Sequence, residues 1–206
     1  MLANVVDQLA SAPVPPPRSR RPRSDAARNR ASLLAAAQAL YAERGIDVSL
    51  EEIARAAGVG IGTLYRNFPT RQDLLEAVYV EEVEAVCQTA EELMDDPPWE
   101  ALVAWLHRFQ AYMTTKQALA EELFNYLGRD ADVFRGCRTA FYGAGEKLLV
   151  RAQEAGAVRT DVSIGDVVML VAGISKVPST SPDQISRILD IAVEGLRTQL
   201  PSTVAL

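Results

Sequence analysis

Apolar residues recur at three- and four-residue intervals along most of the 206-residue chain, and no stretch alternates apolar and polar over the length of a strand. The expected fold is all-α, with nine helices. The first starts at Ser24 or Asp25, either of which can cap it, and runs to about Arg44, with Leu33, Leu34, Ala37, Leu40 and Tyr41 inward and Gly45 as its stop. Ser49 and Glu52 form a capping box for the second, where Ile53, Ala56 and Ala57 share a face ahead of Gly58, which can take positive φ and halt the helix. Val59 turns inward. In the short third helix, residues 63–68, Leu64 and Phe68 share the buried side, leaving Thr63, Tyr65, Arg66 and Asn67 outside. Thr70 and Asp73 box the start of a long fourth helix reaching about Met94; its stripe of Leu74, Leu75, Val78, Tyr79, Val83 and Val86 makes it a rod common to both parts of the molecule.

Asp95-Asp96-Pro97-Pro98 breaks the chain, and two helices are expected beyond it, over about residues 99–115 and 117–127, the second closed by Gly128. Asp130 caps a seventh that passes through Phe134, Phe141, Leu148 and Leu149 to Glu154, ahead of Gly156. Ser163 with Asp166 begins an apolar helix to about Lys176, and Ser181-Pro182-Asp183-Gln184 begins the last, to about Leu200. Residues 167–174 are apolar nearly all round, and the last helix carries Ile185, Ile188, Leu189, Ala192, Val193 and Leu196. A helix apolar beyond one stripe is buried on more than one side.

A helix, a Gly-containing turn and a second short helix form the helix-turn-helix arrangement, which lays its second helix in the DNA major groove. Small Ala54 lets the two helices cross closely, and Gly60 and Gly62 let the backbone approach a duplex while leaving few side chains to read bases. Arg71 sits at the next helix start, where exposed amides and a cation make a phosphate site. The run LYAERGIDVSLEEIARAAGVGIGTLYRNFPTRQDLL, residues 40–75, closely resembles the DNA-binding domain of the TetR family of transcriptional regulators. The resemblance is strong over residues 25–75 and much weaker beyond.

It implies a homodimer with a DNA-reading head, residues 24–72, and a helical body, residues 73–206, that binds a small molecule and dimerises. The family's DNA contacts fall on Ser49, Ile61, Gly62, Thr63, Tyr65, Asn67 and Arg71, the last where the family commonly has Lys. Thr63 and Tyr65 can give hydroxyl bonds to phosphates and Arg71 a charged one, while Arg66 or Asn67 can reach base edges. Arg28 lies in a first helical turn, where the dipole disfavours a cation; a DNA phosphate or Asp25 can compensate it. The resemblance also implies that the last two helices pair with those of a second subunit. Two heads then meet the half-sites of a palindromic double-stranded operator about one helical turn apart.

Net charge of −6 at first disfavours nucleic acid, but its distribution reverses that. From Arg18 to Arg71 ten arginines stand against five acids, +5; the rest has eleven bases against twenty-two acids, −11. A basic head on an acidic body orients a DNA binder. Residues 1–23, rich in Pro and Ser with Arg18, Arg20, Arg21 and Arg23, read as a disordered basic arm, either following phosphates or simply solvated. No apolar run spans a bilayer and no secretion signal is visible, so a cytoplasmic protein that binds no membrane is expected. Cys87 and Cys137 suit free thiols in a reducing compartment.

With one histidine and no Cys/His cluster, no metal site is expected, and no cofactor. No nucleophile, base and orienter stand in recognisable relation, so an all-helical enzyme is a remote alternative. In the body, Trp105, Phe109, Tyr112, Met113, Phe124, Tyr126, Phe141 and Met169 are candidates to line an apolar ligand cavity, with His107 and Asn125 as polar tips. The sequence reads as a DNA-binding regulator; the resemblance makes it a repressor released by a small apolar ligand. A DNA-binding dimer regulated by a protein partner, or without ligand, is the alternative.

Overall fold

The computed structural model of the chain describes residues 22–128, 131–177 and 181–198. Its helices are α1 (Pro22–Arg44), α2 (Leu50–Ala56), α3 (Ile61–Asn67), α4 (Arg71–Glu92), α5 (Pro98–Leu127), α6 (Asp132–Glu154), α7 (Ile164–Ser175) and α8 (Pro182–Glu194), with a 3-10 turn at Leu93–Asp95. These make nine helical elements among the described residues, and the all-α expectation holds. The expected starts are built as capping boxes: Ser49 with Glu52, Thr70 with Asp73, Ser163 with Asp166, each hydroxyl accepting from the amide three residues on. Ser181 accepts from the Gln184 amide, with Pro182 at the first helical position. None of the described helices is long and apolar enough to cross a membrane.

The elements differ from the sequence expectation in several places, of which one is α3, starting two residues early at Ile61 and ending at Asn67 with Phe68 as its cap. The break expected near Thr115 is absent, and α5 runs unbroken for 30 residues. No Gly or Pro lies between Trp99 and Leu127, and β-branched threonines disfavour a helix by only about 0.7 kcal/mol each, too little to end one against tertiary packing. The last helix stops at Glu194 instead of Leu200, because the chain beyond it is diverted: the Leu196 carbonyl accepts from the Arg159 amide at 2.9 Å, and the Ala157 carbonyl accepts from Thr198. Helix α1 begins at Pro22, before Ser24 and Asp25. Ala56 is exposed, and Ala54 takes the buried place beside Ile53. The N-cap of α6 is Ala131, with no side-chain cap bond, instead of the expected Asp130; Asp130 itself and the arginines Arg18, Arg20 and Arg21 lie outside the described residues.

Two buried clusters organise the packing. Leu33, Leu34, Ala37, Ile53, Leu64, Phe68, Leu74, Leu75 and Val78 form the first, joined by Leu119, Leu123 and Phe134 from α5 and α6. The second gathers Val83, Val86, Trp105, Leu106, Phe109, Phe141, Leu148, Val167, Val171 and Leu189. Each fully buried aliphatic or aromatic side chain contributes roughly 1.5–3 kcal/mol through removal from water. Helix α4 belongs to both, giving Leu74, Leu75 and Val78 to one and Val83, Val86 and Ala90 to the other. At the centre of the second, fully buried Trp105 donates its indole N–H to the Val86 carbonyl at 3.1 Å and stacks on Phe141 with centroids 4.9 Å apart.

Candidate nucleic-acid interface and body cavity

Helix α2 ends where Gly58 adopts φ +69°, a left-handed conformation that an L side chain would strain. The turn carries Val59 back onto the first cluster and sets α3 across α2. Leu64 and Phe68, at 0% and 1% exposure, anchor α3 from below. Ile61, Gly62, Tyr65 and Arg66 lie exposed on its other side, with Thr63 and Asn67 half-buried. A Cβ at Gly60 or Gly62 would meet nothing within 4 Å and neither has positive φ, so nothing in the chain itself demands glycine at either place.

The polar side chains differ in how far they are committed. Arg66 lies back along its own helix, Nε donating to the Gly62 carbonyl at 3.1 Å and Nη2 to the Thr63 hydroxyl at 2.9 Å. Asn67 donates to the Thr63 carbonyl at 2.8 Å. Base reading by either requires a rotamer change. The Tyr65 hydroxyl has no hydrogen bond to any described residue. Arg71 is half-buried and donates Nη1 to the Val48 carbonyl at 2.7 Å, its other guanidinium donors bonded to no described residue. Arg28 pairs with Asp25 at 3.3 Å, and both remain well exposed, so the carboxylate route to compensating its charge is present.

Ser49 is half-buried and held within its cap: its amide and hydroxyl donate to the Glu52 carboxylate at 3.1 and 2.8 Å, and Arg44 reaches the same carboxylate at 2.8 Å. Hydrogen bonds from the Ser49 hydroxyl and amide, then Arg44, lower the Glu52 carboxyl from its ordinary 4.5 to about 2. A depressed folded pKa contributes stability above about pH 4.5 that is lost as pH falls towards about 2. Ser49→Ala is expected to cost about 1 kcal/mol at neutral pH. The gap between the variant and the parent narrows in urea denaturation as pH falls through that window, because acid weakens the carboxylate half of the same capping box in the parent while the bond from the Glu52 amide to the Ser49 hydroxyl remains.

In the body, a cavity of about 300 Å³ opens between α4, α5 and α6 beside the end of α7. Phe109, Tyr112, Met113, Phe124 and Phe141 line it. Five other candidates do not. Trp105 is sealed in the core behind Phe141. His107 faces α8, bonded to Asp190 at 2.8 Å with Ser186 at 3.4 Å. Tyr126 is 52% exposed near the end of α5, and Asn125 is likewise exposed. Met169, at 69%, points out of α7 alongside Leu170; Val177, just past α7, and Ile191 of α8 are also exposed.

Sequence reasoning missed Phe134 and Glu121 on the wall, and with them Tyr79, Cys137, Arg138 and Lys176. Tyr79 and Phe134 were legible as parts of the α4 and α6 stripes, while Glu121, Cys137, Arg138 and Lys176 belong to no apolar pattern. The hydroxyls of Tyr79 and Tyr112 are hydrogen-bonded to each other, and burial pushes both phenols up. Cys87 and Cys137 are free, half-buried thiols, also pushed up by burial. Among the described residues no three His, Cys, Asp or Glu side chains gather as a metal site would need.

Comparison with known proteins accords with this geometry. Residues 33–78 match the family model for bacterial regulatory proteins of the tetR family, and residues 97–198 match that for the C-terminal domain of SbtR-like transcriptional regulators. A TetR transcriptional regulator from Streptomyces coelicolor is 41% identical, with a TM-score of 0.72 over 83% of this chain and 99% of its own. A TetR transcription regulatory protein from Mycobacterium vanbaalenii is 35% identical, TM-score 0.64, over 85% and 98%. HTH-type transcriptional regulators of Staphylococcus aureus are 33% identical over 75 residues, 36% of this chain and only 40% of theirs.

Proposed function

The chain belongs to the TetR family of transcriptional regulators, and from that premise we propose that it acts as a homodimeric repressor that holds a palindromic operator through α3 and releases it on binding a small molecule in the body. The role is regulatory, not catalytic. One observation carries the DNA reading: α3 is pinned from beneath by Leu64 and Phe68 while Tyr65 and two glycines that the fold does not require face outward. Gly60 and Gly62 leave room for a phosphate backbone, Tyr65 and Arg71 offer donors to it, and Ser49, Ile61, Thr63 and Asn67 flank them. Arg28 and Arg66 reach the duplex by leaving their present partners.

Gel shifts on specific and scrambled duplexes test this. Tyr65→Phe weakens binding to both alike, by roughly tenfold or more if its bond is to a charged phosphate. Gly62→Ala keeps or raises folded stability, by up to about 1 kcal/mol through helix propensity, yet weakens DNA binding because its methyl meets the duplex. If Gly62→Ala bound as tightly as the parent, the close approach would be lost from the account.

Dimerisation is supported by the outward apolar side chains of the last two helices, Met169, Leu170 and Ile191 among them. A single-chain mass in sedimentation would remove it.

Release is supported by Phe134, which lines the body cavity and also belongs to the cluster that supports α3. Phe124, packed against Phe134 with centroids 4.5 Å apart, does the same from α5. A ligand against these rings favours whichever head position leaves room for it, and so shifts affinity for DNA. For any compound that raises the unfolding temperature, Phe134→Leu is expected to change the factor by which that compound weakens operator binding, by roughly two- to thirtyfold. An unchanged factor would take Phe134 out of the coupling. A compound that binds the body without loosening DNA would favour regulation by a protein partner.

A further inference from the structure

The cavity walls are chemically divided. Phe109, Tyr112, Phe134 and Phe141 are buried, and with half-buried Phe124 they make a floor of rings. Arg138, Lys176 and Glu121 are exposed and lie at the solvent side of the same cavity. Neither Arg138 nor Lys176 has a carboxylate within ion-pair distance among the described residues, although the body as a whole is acidic. The rim therefore sets two cations against one carboxylate, facing an opening whose interior is apolar.

We infer that the effector cavity takes a small aromatic carboxylate, its ring on the phenylalanine floor and its carboxylate at Arg138 and Lys176. This rests on the reading of the cavity as the effector site. The planar guanidinium of Arg138 matches a carboxylate in a two-bond fork, and the ammonium of Lys176 adds a point charge with rotatable donors. At about 300 Å³ the space lies at the small end for ligand sites, which favours one or two fused rings over a long acyl chain. Tilted rings such as Phe109 and Phe141, with centroids 4.3 Å apart, offer faces and edges to a flat guest. The Tyr79 and Tyr112 hydroxyls supply a further polar contact deep in the wall.

Calorimetric titration of the full chain with naphthoate, uncharged naphthamide and octanoate tests the inference. Naphthoate is expected to bind roughly 10- to 100-fold more tightly than naphthamide, the range of a charge-assisted bond, and more tightly than octanoate. Arg138→Gln should lose most of the preference for the acid, and Lys176→Gln part of it. The inference is overturned if naphthamide binds as well as naphthoate, if octanoate binds better, or if none of the three binds. It is also overturned if Arg138→Gln leaves the preference intact. The naphthoate and naphthamide comparison on the unmodified chain needs no variant to fold. Operator release, measured separately by gel shift, distinguishes the two readings: naphthoate that binds but leaves DNA held would sink the release reading and keep this one.

Discussion

Gly145→Ala is expected to lower stability by about 2 kcal/mol, a fall of roughly 4–8 °C in the unfolding midpoint for a chain of this size. A Cβ built there lies 2.8 Å from the Ile164 Cδ1 and Trp105 Cζ3 atoms and closer still to Trp105 Cη2, where real side chains do not approach. The indole cannot yield, because it is fully buried, stacked against Phe109 and Phe141, and tied through Nε1 to the Val86 carbonyl. Against this stands a helix-propensity gain of about 1 kcal/mol, too small to offset overpacking at the upper end of its usual 1–3 kcal/mol range. Gly143, two residues earlier on the exposed side of the same helix, meets nothing within 4 Å. Gly143→Ala should therefore raise the midpoint, and the opposite signs of the two glycine variants in one calorimetric comparison separate packing from propensity. A neutral Gly145→Ala would mean that α5 and α6 part more easily than their contact implies.

Arg71→Ala is expected to act twice. In urea denaturation it costs about 1.5–3 kcal/mol, because the Val48 carbonyl loses a charge-assisted donor. In gel shifts over a salt series it lowers the logarithmic salt slope by about 1, the signature of one phosphate contact removed. Arg71→Lys separates the two: it keeps the charge, so the slope holds, but its single ammonium replaces a fork that serves Val48 with one arm and keeps other donors uncommitted. An unaltered slope for Arg71→Ala would confine the residue to holding the α1–α2 connection against α4.

What the sequence made legible follows the range of the forces. Ser49, Thr70 and Ser163 each found the carboxylate three residues on, as local hydrogen bonding dictates, and Gly58 halted α2 in the conformation that glycine permits. Leu64 and Phe68 were readable as the floor of α3 from spacing alone, and so were the residues opposite them. The commitments of those outer side chains were not: nothing in the spacing tells that Arg66 lies on Thr63 or that Arg71 crosses to Val48, 23 positions away. In the body, aromatic and methionine identity selected Trp105, Tyr126 and Met169 together with Phe109, Tyr112, Met113, Phe124 and Phe141, yet only the last five line the cavity. Which side of a long helix faces a void depends on three other helices at once. The cations of the rim were invisible for the same reason, since Arg138 and Lys176 look like ordinary solvated charges until α6 and α7 bring them to one opening.

Because α4 supplies side chains to both buried clusters without a break, it behaves as a pointer with its pivot inside the body. Its 22 residues extend about 33 Å at 1.5 Å each. Tilting such a pointer by about 5° sweeps its far tip through roughly 3 Å, close to the 3.4 Å stacking interval of a duplex strand. A tilt of that size would carry the α3 end of the helix by nearly one base step along a bound duplex.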